Sequence, residues 1–294
     1  MIRVLLFVVT NLSVISLLCI IAFFTGIQTN NIIYLIISGF LFGFGGAFIS
    51  LLLSKKIALF SIGSNVIKNP TNESEMWLLK VLKKQSKQLN IKTPDLTIYS
   101  SNSINAFATG SKKDSSLIAL STGLLNKMNK NEIKAVIAHE MTHIANGDMI
   151  TMTLIQGVLN TFVIFLSRGI AYLFSNLDSN NNSSQSIFQK TGAVYLILTI
   201  FLEIMFGTIA SFITMWFSRR REFYADAGSA KIVGVENMIS ALQKMQYNPY
   251  SLEIPKTLTT LCINNYEQNS FLSLFMSHPP LHVRIQALYK KTYM

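Results

Sequence analysis

Charge is scarce in this 294-residue chain: 13% of its residues are Asp, Glu, Lys or Arg, against roughly 25% in an average soluble domain. Cysteine is scarcer still. Cys19 and Cys262 are too few for a disulfide framework, and Cys19 lies within an apolar run. Half the residues are apolar and the mean hydropathy is +0.40, which excludes a disordered or collagenous chain. Acidic residues number 14 against 25 Lys and Arg, for a net charge of +11. Such an excess suits nucleic acid or an anionic membrane surface. No stripe of aromatics interleaved with basic residues accompanies it, which weighs against nucleic acid. At about 100–200 residues per domain the length alone would suit two soluble domains, but long uninterrupted apolar runs exclude that picture.

Four runs reach the roughly 20 apolar residues that a helix needs to cross a bilayer core. They cover residues 4–24, 32–53, 149–174 and 191–217, the third broken only by Arg168 and the fourth only by Glu203. The first exceeds the 7–15 residues usual for a signal-peptide core and lacks a small-x-small cleavage site, so it reads as a retained anchor. Residues 54–148 carry 13 Lys and residues 218–294 carry nine Lys or Arg, whereas the links 25–31 and 175–190 hold only Lys190. Arg3, Lys55, Lys56, Arg219, Arg220 and Arg221 stand nearest the span ends. By the positive-inside rule both termini and both polar segments face the cytoplasm.

The chain then divides into a first transmembrane hairpin (1–53), a cytoplasmic catalytic part (54–148), a second hairpin (149–217) and a second cytoplasmic part (218–294). The basic collars suit anionic lipid headgroups, at about 1 kcal/mol per charge. Within the spans, Gly39 and Gly43 form a GxxxG that serves close packing within the chain. Arg168, near the outer interface, can snorkel. Glu203, nearer mid-depth, faces the other spans or a polar cavity and is a secondary functional candidate.

The polar segments have globular patterning. Asn72–Glu75 fits a capping box for a helix whose Trp77, Leu78, Val81, Leu82 and Leu89 share a face, with Lys80, Lys83, Lys84 and Lys87 solvated. Short strands are expected at 96–99, 106–108 and 117–121, with an exposed turn at 110–115. Asn129 and Glu132 form a second capping box, opening a helix that ends near Gly147. Residues 222–232 and 235–246 read as helices separated by Gly234, and Pro280 opens a last one to about Tyr289.

His139-Glu140-Met141-Thr142-His143 is an HExxH within a helix. Residues four apart share a helical face, so both imidazoles can reach one Zn²⁺. Glu140 is placed to take the proton of a water at the metal. A chain of this composition would contain the pattern by chance roughly 0.002 times. A catalytic zinc needs a third protein ligand and an open position. No further histidine follows soon after His143, so the ligand comes from afar. Glu222, in an ExxxD directly after the fourth run, is the best source. Asp226, one turn on, could accept the second N–H of a liganding histidine. Asp148 is the rival ligand, but its place at a helix end points it away.

HEMTHIANGDM, SRRREFYADAGSA and SHPP, with paired spans before and between them, resemble the HtpX-type membrane zinc endopeptidases, relatives of the CAAX prenyl endopeptidases. The resemblance covers essentially the whole chain. It implies an α-helical membrane protein with four transmembrane helices and a cytoplasmic α+β zincin-like metalloprotease domain. One Zn²⁺ would sit on His139, His143 and Glu222, with Glu140 as base. The implied role is bacterial inner-membrane protein quality control and stress response, cutting misfolded or damaged membrane proteins or unfolded polypeptide. The resemblance also places Asn105, Ala106 and Phe107 on or near an edge strand beside the cleft, where a substrate could pair by its backbone. The alternative is an ordinary core strand with Phe107 buried. His278 is a candidate oxyanion donor, a fourth zinc ligand as relatives suggest, or a helix-capping histidine. Arg284 serves the substrate or pairs with a local carboxylate.

Two other functions fit part of the pattern. A non-enzymatic scaffold or chaperone with structural zinc would want a closed four-ligand shell. A prenyl-protein protease would use the same chemistry on lipidated C-termini, but its relatives usually have more spans.

Overall fold

The apolar runs at 32–53, 149–174 and 191–217 fold as helices that continue past their apolar ends. The structure, a computed structural model, describes residues 32–177, 187–247 and 278–293. In chain order come α1 (Ile32–Ile62), α2 (Glu73–Leu89), β1 (Asp95–Tyr99), β2 (Ala106–Lys112), β3 (Ser115–Ser121), α3 (Thr122–Lys127), α4 (Lys130–Asn146), α5 (Asp148–Leu177), α6 (Ile187–Val233), α7 (Val235–Gln246) and α8 (Leu281–Tyr289). Among the described residues three stretches are long and apolar enough to cross a membrane, Gly39–Ile62, Asp148–Tyr172 and Val194–Val233. The first run expected from sequence, 4–24, lies outside the described residues, as do Cys19 and Cys262.

One boundary differs from the sequence reading. A separate helix was expected from Glu222, yet α6 runs unbroken for 47 residues. Arg219, Arg220 and Arg221 end the apolar run without ending the helix, because arginine is a good helix former. The described residues form two units, one drawn from residues up to Ile49 and from Thr153–Met215, the other from Ser50–Met152 and from Trp216 onward.

In the first unit small residues permit close helix approach. A Cβ on Gly43 would sit 2.5 Å from Thr161 N, and one on Gly157 would sit 2.6 Å from the Phe44 ring. The GxxxG of α1 thus packs within the chain, on α5. Arg168 Nε lies 4.0 Å from Glu203 Oε1, and both side chains are buried.

The second unit holds the sheet, ordered β1-β3-β2, with β1 parallel and β2 antiparallel to β3. Leu117 to Leu120 of β3 are fully buried, so β3 is the central strand and β2 an edge. β2 extends further than expected. It runs through a bulge between Gly110 and Lys112, leaving Lys113 and Asp114 as the turn. Gly110, at φ +147°, allows this, since a Cβ there would meet Ser115 O at 2.5 Å.

α2 buries Leu78, Val81 and Leu82 on one face and leaves its four lysines in solvent. Its N-cap Asn72 accepts from Glu75 N, but the Glu75 carboxylate accepts from Thr71 N, one residue before a capping box would place it. In α4 the box is complete: Asn129 Oδ1 accepts from Glu132 N, and Glu132 Oε2 accepts from Asn129 N. Glu132 Oε1 also accepts from Ser240 Oγ at 2.7 Å, tying α4 to α7.

The crossing of α4 and α6 carries the chemistry. A Cβ on Gly228 would overlap the Thr142 side chain, so only glycine allows this approach. Ser229 Oγ donates to Ala135 O at 2.7 Å in the same contact.

Two substitutions test these approaches. Gly228→Ala should lower stability by about 1–3 kcal/mol through overpacking, read as a fall in Tm of the detergent-purified chain. Thr142→Ala in the same chain should recover most of that loss. Gly43→Val should cost a similar amount, and no neighbouring side-chain truncation should restore it, because its clash is with backbone.

Candidate metal centre

The spacing of α4 turns the two imidazoles toward each other. His139 Nε2 and His143 Nε2 are 3.1 Å apart, with the rings nearly perpendicular at 87°. Glu222 on α6 closes a triangle. Its Oε2 lies 3.6 Å from His139 Nε2 and its Oε1 3.4 Å from His143 Nε2. Among the described residues these three form the group able to hold a metal ion, with one donor atom from each within 4.8 Å of the others.

The opposite ring nitrogens are held by carboxylates. His143 Nδ1 lies 2.6 Å from Asp148 Oδ2, and His139 Nδ1 lies 3.0 Å from Asp226 Oδ1. The second contact is close but falls short of hydrogen-bond alignment. An ionised carboxylate only accepts, so each Nδ1 carries the hydrogen, and in the neutral ring Nε2 keeps its lone pair. Behind the triangle, Arg284 Nε and Nη2 donate to both Asp226 oxygens at 2.8 and 2.6 Å, while Nη1 stands 3.1 Å from Glu222 Oε2. Arg221 pairs with Asp148.

These residues fit a divalent cation on two observations. Glu222 Oε2 is buried with no aligned hydrogen bond. The carboxylates of Glu140, Asp148, Glu222 and Asp226 face the guanidiniums of Arg221 and Arg284, leaving two negative charges with the imidazoles neutral. Without a cation the imidazoles take up protons instead. Burial works against a charged His143, but the Asp148 and Glu222 carboxylates outweigh it and, with Glu140, push it up to about 10. For His139, burial and the His143 charge oppose a proton, yet Asp226 and Glu222 still raise it. Arg284 is held charged despite burial, chiefly by Asp226 and then Glu222 and Glu140.

Glu140 is half-buried beside His139, and its charge acts on both His143 and Arg284. His278 stands just before α8 with its side chain 58% exposed and its Nδ1 2.8 Å from Glu222 Oε2. It lies beside the three-donor group rather than within it. Ala106 and Phe107 are half-buried on edge strand β2, which packs on α4, and Asn105 directly precedes it. The reading of a core strand with buried Phe107 does not hold. Arg284 pairs with carboxylates, one of its two expected roles.

Sequence reasoning missed part of the surrounding shell. Asp148, expected to point away from the metal, is not among the three donors; the sequence did not show that its carboxylate, just past Gly147 at φ +71°, meets the far nitrogen of His143. Arg221 and Gly228 were not singled out for the roles they take. Two collar charges are also engaged within the protein, Lys55 with Asp95 and Arg221 with Asp148, and Arg220 stacks over Trp216 at 5.7 Å.

Residues 72–292 match the model of peptidase family M48. The chain is 55% identical to Protease HtpX of Wigglesworthia glossinidia brevipalpis, over 100% of this chain and 99% of that one. It is 50% identical to the Protease HtpX of Buchnera aphidicola subsp. Schizaphis graminum and to that of Yersinia pestis (strain Pestoides F), each over the full length of both chains. Crystalline S. mikatae Ste24p shares the fold with a TM-score of 0.63 at 19% identity, over 94% of this chain and 62% of that one. The chain belongs to peptidase family M48, among the HtpX proteases, and is a membrane-bound metalloprotease.

Proposed function

We propose that the protein is a multi-pass endopeptidase of the bacterial inner membrane. It spans four times with both termini cytoplasmic, and one zinc ion is held by His139, His143 and Glu222. The observation that carries the reading is the convergence of two imidazole Nε2 atoms and a buried carboxylate on one point, with each Nδ1 facing a second carboxylate. That donor set, two nitrogens and one oxygen, is a catalytic zinc set that leaves a coordination position open. Among the described residues it lacks the closed shell of a structural site. The first of the four spans, residues 4–24, rests on its apolar run, and the positive-inside distribution supports the orientation.

Zinc in such a site supplies Lewis acidity, polarising a carbonyl and acidifying water. Glu140 takes the proton of the attacking water and returns it to the leaving amine. Asp226 holds His139, and Arg284 keeps Asp226 and Glu222 in place by charge. His278, exposed at the rim beside Glu222, donates to the developing oxyanion. Its nearer nitrogen faces a carboxylate oxygen, which supports this role over that of a fourth ligand. Edge strand β2 presents Asn105, Ala106 and Phe107 to the substrate backbone, giving loose sequence preference.

The substrates are misfolded or damaged membrane proteins and unfolded polypeptide. Both ligand-bearing helices support this by their chain neighbourhood: α4 is followed after one residue by the apolar α5, and Glu222 follows the fourth run within α6. The basic collars, Lys56 and Arg3 among them, meet anionic headgroups.

Glu140→Gln should keep about one zinc per chain yet cut an unfolded test protein at least 10²-fold more slowly than wild type, as read by metal analysis and gel-based cleavage. Equal cutting by both would contradict the assignment. Protons and zinc compete for the imidazoles, so apparent zinc affinity measured by chelator competition should rise between pH 6 and 8, by up to about tenfold per pH unit for each proton displaced. The raised His143 stabilises the metal-free fold fully below its ordinary 6.5 and loses that contribution as pH climbs toward about 10. The Tm of metal-free protein should therefore fall across that window more than that of the zinc-loaded protein.

A further inference from the structure

Each zinc-site histidine has a carboxylate on its far nitrogen, but the two carboxylates are held differently. Asp226 is 1% exposed and receives two hydrogen bonds from the buried Arg284. Asp148 is 6% exposed and lies between His143 Nδ1, at 2.6 Å from its Oδ2, and Arg221, which pairs with its Oδ1. Asp148 is the first residue of α5, and Arg221 immediately precedes Glu222 on α6.

We infer that Asp148 is a positioning residue for the metal site: its carboxylate fixes the tautomer and angle of His143, so that Nε2 presents its lone pair to zinc. Three features support this. The His143–Asp148 contact is the shorter and better aligned of the two histidine–carboxylate pairs, since it meets hydrogen-bond geometry where the His139–Asp226 approach does not. His143 is also the less buried of the two histidines, its side chain 16% exposed against 9%. A ring packed less tightly depends more on a directed hydrogen bond to hold its angle. Finally, Gly147 in the left-handed region brings residue 148 back to the ring within a single residue of the α4 end.

Carboxylates that orient metal-bound histidines typically contribute ten- to hundredfold in metal affinity. Arg221 holds Asp148 from the other oxygen and neutralises part of its charge, so its loss should matter less. The inference rests on the zinc reading of His139, His143 and Glu222, and the test separates the two.

The experiment is a chelator-competition titration of Zn²⁺ into full-length detergent-purified protein, comparing wild type with Asp148→Ala, Asp148→Asn and Arg221→Gln. Visible absorption of the Co²⁺-substituted forms reports the ligand geometry alongside. Asp148→Ala should bind zinc about ten- to hundredfold more weakly and show an altered Co²⁺ band. Arg221→Gln should lose no more than about threefold and keep the wild-type band. Asp148→Asn has the same shape and can still accept from Nδ1 but lacks the charge, so it should fall between wild type and alanine. It carries the test if the alanine variant does not fold. Asp148 variants that bind zinc as wild type does, or an Arg221→Gln that loses as much as Asp148→Ala, would overturn the inference and leave the pair a structural tie. A wild type that takes up no zinc would instead overturn the metal reading itself.

Discussion

The burial of like charge around two imidazoles is the constraint on which the rest of this site depends. Glu222, Asp226 and Asp148 are 4%, 1% and 6% exposed, and Glu140 stands beside them. Carboxylates so placed repel one another and lose their hydration, and breaking one pair in such a cluster costs about 3–5 kcal/mol. Compensation comes from Arg284 behind the site and Arg221 at its side, and the proposed cation would supply the rest. The remainder of the fold keeps these groups at contact distance. Gly228 and Ser229 set the approach of α6 to α4, and the capping box of Asn129 with the Glu132–Ser240 bond holds the start of α4 in place.

The helices that bury this charge also carry the apolar stretches. Asp148 opens α5, and Arg221, Glu222 and Asp226 lie in α6 beyond its apolar run. Charged and apolar demands are thus met in the same helices by different segments. In α6 the change happens over Arg219, Arg220 and Arg221 without a break in the backbone hydrogen bonding, because arginine satisfies helix propensity while ending the apolar pattern. The candidate site thus has Glu222 and the carboxylates beside both histidines on helices that also carry long apolar stretches.

The sequence made local structure readable where the signal is local. Capping by Asn129 and Glu132, the Gly147 and Gly234 helix ends, the one-sided burial of α2 and the start of α8 after Pro280 all follow from residue types at fixed offsets, and the structure has them. The HExxH and ExxxD spacings identified His139, His143, Glu222 and Asp226, whose side chains the fold brings together. Less legible were features that depend on a chain reversal or on contacts between distant segments. Asp148 is not among the donors, as its place at a helix end suggests, but its contact with the far nitrogen of His143 depends on the left-handed Gly147 and is not visible in spacing alone. Gly228 has no local signature, since what demands a glycine there is Thr142, far away in sequence. Arg221 was read as a headgroup charge, and only the fold shows that Asp148 reaches it first.

Zinc K-edge X-ray absorption of the full-length wild-type protein, loaded with one equivalent of metal, tests the central claim most directly. The account predicts two imidazole nitrogens at about 2.0–2.1 Å with the remaining first-shell scatterers oxygen. Thiolate scattering at about 2.3 Å, or a shell without the outer-ring signature of two histidines, would contradict it.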